Sequence, residues 1–218
     1  MRTAAPLWLL VLLTGAAHAA CDSTDACLAA IDAAQAGTRT ISARFTQTKY
    51  LSLLDEPLVS TGRFVFKRPD RMRLEIESPH PATILINGRD ISIPGMSDRD
   101  RQQLAMTPMA AMFTELGALF SGSATALRQH FQVAARSADG AVEVTLTPTL
   151  PEWQRMFRTI QLRFAEPALV LSSMQLDDAL GDRLDIVMRD VQRNRDVPDA
   201  LFAPPDGEQP PMNTDEHR

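Results

Sequence analysis

The chain has 218 residues, enough for one large domain or two small ones, and its 44% apolar and 22% charged content is that of a soluble globular protein. The formal net charge of −5 supplies no global basic field to draw it to nucleic acid or anionic lipid.

Residues 1–19 have the layout of an export signal. Arg2 gives a positive start, "PLWLLVLLTGAA" is the apolar stretch, and "AHA" at 17–19 fits a small-residue cleavage site. The run is short for a permanent membrane anchor. Cleavage before Ala20 is the preferred reading, which makes the protein exported. The alternative is lipoprotein processing at Cys21, although His18 stands where such signals usually carry leucine.

Cys21 and Cys27 then form an even pair in a disulfide-permissive compartment. On one regular helix six positions rise about 9 Å, beyond disulfide reach. A bridge therefore requires Cys21 to precede the helix, with Ser23 or Thr24 as the cap. The C-x-x-C spacing of a redox site is absent.

Residues 25–36, "DACLAAIDAAQA", predict a short amphipathic helix stopped at Gly37. The period then changes to two. Ile41, Ala43 and Phe45 alternate with Ser42 and Arg44, Phe64 and Phe66 with Arg63 and Val65, and then Met72, Leu74 and Ile76 with Arg71, Arg73, Glu75 and Glu77. Further strands are expected at 82–87 and 89–93, around "NG" at 87–88, and at 130–135 and 141–147, around "DG" at 139–140. The last three fall at 159–165, 169–176 and 183–191. About ten strands with short connections imply one antiparallel sheet rather than βαβ units.

One segment interrupts the strands. In "TPMAAMFTELGALF" (107–120), Thr107 is a candidate cap and Pro108 sits in the first turn. Met109, Met112, Phe113, Leu116, Leu119 and Phe120 follow at helical spacing, and "SGSATALRQHF" predicts a turn and a second short helix. The proline-rich, polar end predicts an unstructured tail over 206–218.

A search for catalytic groups finds little. His80 and His130 each lack a partner at metal-ligand spacing, and "FSGSA" lacks the G-x-S-x-G frame. Glu75 and Glu77 share a strand face with Arg71 and Arg73, the pattern of a solvated strand. No acid–base pair, activated nucleophile, metal site or cofactor motif is recognisable, so the chain is read as a non-enzyme.

The apolar interior is the other candidate. A ten-stranded sheet has more apolar face than two short helices cover. The methionine-bearing helix is thus either a lid over a lipid-sized cavity or an ordinary core helix, since methionine suits surfaces that repack around variable ligands. By alternation the candidate wall is Phe64, Phe66, Met72, Leu74, Ile76, Ile84 and Ile86. The lid would contribute Met109, Met112, Phe113 and Leu116. At the Lys67-Arg68-Pro69 corner, Arg68 is either a solvated turn charge or a fork of donors for the backbone carbonyls of a facing helix.

These features in order resemble the LolA family of periplasmic lipoprotein carriers. "ARFTQTKY" (43–50) is similar to the family's first strand, and "STGRFVFKRPDRMRLEIESP" (60–79) to its K-R-P segment. "ILINGRDI" (84–91), "TPMAAMFTELGALFSG" (107–122) and "FAPPDG" (202–207) resemble its strand pair, lid helix and ending. The resemblance implies a mainly β, α+β fold, an incomplete antiparallel β-barrel (half-barrel) over 20–205 with covering helices. It implies a monomer binding a lipidated protein or another acyl or lipid ligand. It also implies loading by a LolCDE-type inner-membrane transporter, unloading to an outer-membrane acceptor, and a lid-latch role for Arg68. Leu74 stands where these carriers usually have an aromatic, and "ISIPGMS" replaces an aromatic-rich strand. A LolB-like lipidated acceptor, or a periplasmic sensor or protein-binding module on the same fold, is the alternative.

Overall fold

The computed structural model describes residues 21–88, 90–95, 97, 99, 102, 117, 120 and 124–203. The expected signal segment (1–19) and tail (206–218) lie outside these residues.

Helix α1 (Thr24–Gln35) begins where Ser23 caps it, the Ser23 hydroxyl accepting from the Ala26 N–H at 3.2 Å. Leu28, Ile31 and Gln35 are buried at helical spacing. Cys21 precedes the helix and is bridged to Cys27, with Cα atoms 5.0 Å apart.

Ten strands follow: β1 (Thr40–Tyr50), β2 (Leu58–Lys67), β3 (Arg71–Ser78), β4 (Ala82–Asn87), β5 (Asp90–Ser92), β6 (Phe131–Ala138), β7 (Ala141–Pro148), β8 (Phe157–Ala165), β9 (Val170–Asp178) and β10 (Arg183–Arg193). They form one antiparallel sheet in the order β5-β4-β3-β2-β1-β10-β9-β8-β7-β6, so two meanders meet where β1 pairs with β10. The sheet does not close. The two-residue connection Asp139-Gly140 has φ of 48° and 68°, the tight turn that glycine permits and the strand twist prefers. β5 is only three residues long. α1 covers the β6 edge, where Thr24 Oγ1 accepts from the Ala135 N–H at 3.1 Å and donates to the Ala135 carbonyl at 3.4 Å.

Three short elements depart from the sequence-based expectation. The second short helix after 120 is a 3-10 turn, Ala124–Gln129. Its first N–H groups, those of Ala124 and Thr125, find their acceptor in Asp32 of α1, ninety-odd residues away in sequence. A one-turn helix α2 (Pro151–Gln154) starts at a proline and buries Trp153 against Phe131. Asp199–Phe202 forms a further 3-10 turn on the convex side.

That last turn changes the reading of the polar face of β3. The face is partly covered rather than fully solvated. Lys67 and Arg71 donate to Asp199 at 2.6 and 2.9 Å, Arg73 donates to the Leu201 carbonyl at 3.1 Å, and Asn87 to the Phe202 carbonyl at 3.2 Å. Beneath this strap Leu85, Val197 and Phe202 are buried outside the main core. The hydrogen bond from Lys67, with the charges of Lys67 and Arg71, lowers the Asp199 carboxyl below its ordinary pKa. A depressed carboxylate contributes fully above its unfolded pKa and is lost as pH falls through the folded one. Amide exchange over 197–202, corrected for intrinsic rates, should thus be steady from pH 7 to 5 and accelerate only below the ordinary carboxylate range. Asp199→Asn should show the accelerated rate already at pH 7.

Candidate functional site

The concave face is built by register. Phe66, Met72 and Ile86 are directly opposite one another across β2, β3 and β4, and Phe64, Leu74 and Ile84 form the next row. From the other meander, Ile186, Met174, Leu162 and Val144 form a row across β10, β9, β8 and β7. Phe45 of β1 lies opposite Met188 of β10, so the two halves of the wall meet at the central strand pair.

Between them lies a cavity of about 90 Å³ with no polar surface. The first half of the chain contributes Phe45, Phe64, Met72 and Leu74, and the second contributes Leu162, Leu171, Met174, Ile186 and Met188. Phe120 closes it, its ring centroid 5.2 Å from that of Phe64 and 5.5 Å from that of Phe66. Gly117 is also buried, and a Cβ there would stand 3.2 Å from Met72 Cε. The described end of the 107–120 segment therefore packs on the cavity wall. A groove of about 340 Å³ on the outward face of β6–β10 is larger. Arg136, Glu143 and Arg163 line it, and Glu143 bridges both arginines at 2.5 and 2.6 Å. Its lining is that of a hydrated sheet face, so chemistry rather than volume selects the smaller cavity.

Of the residues expected from alternation, Phe64, Met72 and Leu74 line the cavity. Phe66 and Ile86 are buried on the same face, with Ile76 and Ile84 half-buried against them. The expected lid residues Met109, Met112, Phe113 and Leu116 lie outside the described residues. Alternation alone singled out none of the second-half wall.

Arg68 is not a solvated turn charge. Its Nε donates to the Thr38 carbonyl at 2.5 Å, and Nη2 donates to the carbonyls of Gln35 and Ala36 at 2.9 and 3.4 Å. Gln35 and Ala36 stand at the C-terminal end of α1, where a cation meets the negative end of the helix dipole, and the Gln35 carbonyl also accepts from the Thr38 N–H at 2.9 Å. Among the described residues no group of three His, Cys, Asp or Glu side chains could hold a metal ion. His130 packs edge-on against Trp153, centroids 5.5 Å apart, as part of the end cap of the sheet.

An apolar half-barrel, Phe120 packed over its cavity and an arginine fork at a helix end are to be compared with known proteins. Residues 36–205 match the family described as outer membrane lipoprotein carrier protein LolA. The chain belongs to that family. An outer-membrane lipoprotein carrier protein of Chromohalobacter salexigens is 30% identical over 142 residues, which are 65% of this chain and 64% of that one. Another from Pseudomonas fluorescens is 26% identical over 195 residues, 89% of each chain. A chain in the complex of MucA and MucB from Pseudomonas aeruginosa shares the fold, with a TM-score of 0.50 at 12% identity over 84% of this chain and 60% of that one. This LolA-family member therefore has the lipoprotein carrier fold with a divergent sequence. Among its described residues no helix is long and apolar enough to cross a membrane.

Proposed function

We propose that this protein is a periplasmic carrier that shelters acyl chains, those of a lipoprotein or a related lipid, in the half-barrel cavity. The observation that carries the reading is the lining, which among the described residues is wholly apolar, drawn from both meanders, and includes Met72, Met174 and Met188. Three flexible, polarizable thioether side chains suit a site that repacks around chains of different shape. Ligand pockets usually enclose about 300–1,000 Å³. A cavity of about 90 Å³ is several-fold smaller, so cargo must displace Phe120 and the segment that carries it. Burial at about 25 cal/mol per Å² over some hundreds of Å² would bind the chain by several kcal/mol. Release then follows when a competing apolar surface is offered.

The Cys21–Cys27 bridge favours a diffusing carrier over a LolB-like lipidated acceptor, because a bridged Cys21 sulfur has no valence left for a lipid. It also fits an oxidising compartment. The relationship to a MucA–MucB complex chain supports a second reading, a periplasmic module that binds a protein.

Native mass spectrometry of protein purified from periplasm, followed by organic extraction, separates these. A co-purifying acyl lipid supports the carrier, and a bare chain that also takes up no added fatty acid supports the module. Met174→Glu places a carboxylate in the apolar cavity, where an unpaired charge is strongly disfavoured. The expected result is at least about a tenfold loss of affinity for a fluorescent fatty acid. Undiminished uptake by a folded Met174→Glu protein would place the cargo elsewhere.

A further inference from the structure

The β1–β2 connection (residues 51–57) and the β9–β10 turn (residues 179–182) are tied together at one end of the sheet. Asp182 Oδ1 accepts from the Ser52 N–H at 2.7 Å and from the Ser52 hydroxyl at 2.9 Å. Asp178 Oδ1 accepts the N–H groups of Leu180, Gly181 and Asp182, each at 2.8 Å, and the Arg183 guanidinium lies 4.2 Å from the centroid of the Tyr50 ring. This bonding presents leucine to water. Leu53 is 95% exposed and Leu180 is 85% exposed, with Leu54 about half exposed beside Leu53 and Leu58 about half exposed where β2 begins. A contiguous exposed apolar patch marks a surface that meets something.

Size and charge select what it meets. A stable protein interface needs about 800 Å² per partner with matching shape, whereas the nearly fully exposed apolar side chains at this end are Leu53 and Leu180 on two tight connections. Leucines entering a bilayer need no matching pocket. Around the leucines the cations Lys49 and Arg183 stand against the carboxylates Asp55, Glu56, Asp178 and Asp182, two against four, so the tip is acidic, which an anionic membrane repels and a headgroup ammonium attracts. Exposed Lys49 stands between Leu58 and Leu184 in register, so the apolar tip ends there, and Leu184 packs against the core cluster that includes the cavity wall.

We propose that this double-hairpin tip docks the protein on a bilayer with zwitterionic headgroups, its leucines entering the interfacial region. The inference goes beyond the carrier reading and is tested apart from it. The probe is flotation with vesicles of phosphatidylcholine and phosphatidylethanolamine, using secreted protein shown by intact mass to lack the apolar stretch of residues 7–13. The combined variant Leu53→Ser, Leu54→Ser, Leu180→Ser alters only exposed positions and should melt as the parent does. The parent should float with the vesicles and the variant about tenfold less. Adding phosphatidylglycerol should weaken binding of the parent. The proposal is overturned if the parent stays with the unbound fraction, if the variant floats equally, or if binding rises with anionic lipid. Fatty-acid uptake in vesicle-free buffer, expected to be equal in parent and variant, reads the carrier function separately.

Discussion

Gly62→Ala should cost at least about 3 kcal/mol of stability, lowering the melting temperature by about 10 °C or leaving little folded protein. Gly62 lies on β2 directly opposite Phe45 of β1, and the Phe45 ring rests over it. A Cβ at this position would stand 2.0 Å from the Glu75 carbonyl oxygen and 2.7 Å from Phe45 Cζ. The requirement is for space. A register shift between Thr61 and Gly62 brings the β3 backbone this close, as a bulge does. Side chains repack at modest cost, but a ladder carbonyl moves only with its strand. The double variant Phe45→Leu, Gly62→Ala isolates the two causes. It should recover part of the loss, because the ring is gone and the carbonyl remains. Full recovery would mean that the β3 backbone yields freely, and a melt of Gly62→Ala equal to the parent would refute the close approach altogether.

How far the site is legible in the sequence follows from the same geometry. Phe64 and Phe66 fall two apart on β2, and Met72 and Leu74 alternate with Arg71, Arg73 and Glu75 on the next strand of the hairpin, so their shared face follows from period two alone. Leu162, Met174, Ile186 and Met188 alternate as regularly within their strands. That they face Phe45 and Phe64 across a cavity depends on the β1–β10 pairing, which closes about 140 residues of chain and has no local signature. Leu171 is hidden further, because the β8–β9 register slips between Arg163 and Phe164 and shifts the phase of the alternation. The Lys67-Arg68-Pro69 corner is visible as a strand end. The acceptors of Arg68 lie 30 to 33 residues earlier and are backbone carbonyls, which carry no residue identity for a sequence pattern to reveal.

Arg68→Leu is expected to alter cargo handling far more than folding. The substitution leaves the carbonyls of Gln35, Ala36 and Thr38 without their charged donor, a loss of about 1.5–3 kcal/mol per well-made bond before water replaces it. α1 keeps other attachments at the same end. Gln35 donates to the Leu169 carbonyl at 2.8 Å, Arg193 to the Ala34 carbonyl at 3.1 Å, and Asn194 to the Gly37 carbonyl at 3.0 Å. The melting temperature should therefore fall by only a few degrees. The consequence for cargo runs through α1. Its Asp32 receives the Ala124 N–H at 2.5 Å and the Thr125 hydroxyl at 3.2 Å, four and five residues after Phe120. A loosened α1 thus loosens the root of the segment whose Phe120 closes the cavity against Phe64 and Phe66. Exchange of a bound fluorescent fatty acid should change by about tenfold or more, and Arg68→Lys, which keeps the charge but not the fork, should fall between. Asp32→Ala, cutting the second link, should reproduce the Arg68→Leu exchange rate. If Arg68→Leu melts lower but exchanges cargo as the parent does, Arg68 serves only to staple α1 to the sheet, and the lid is held by other contacts.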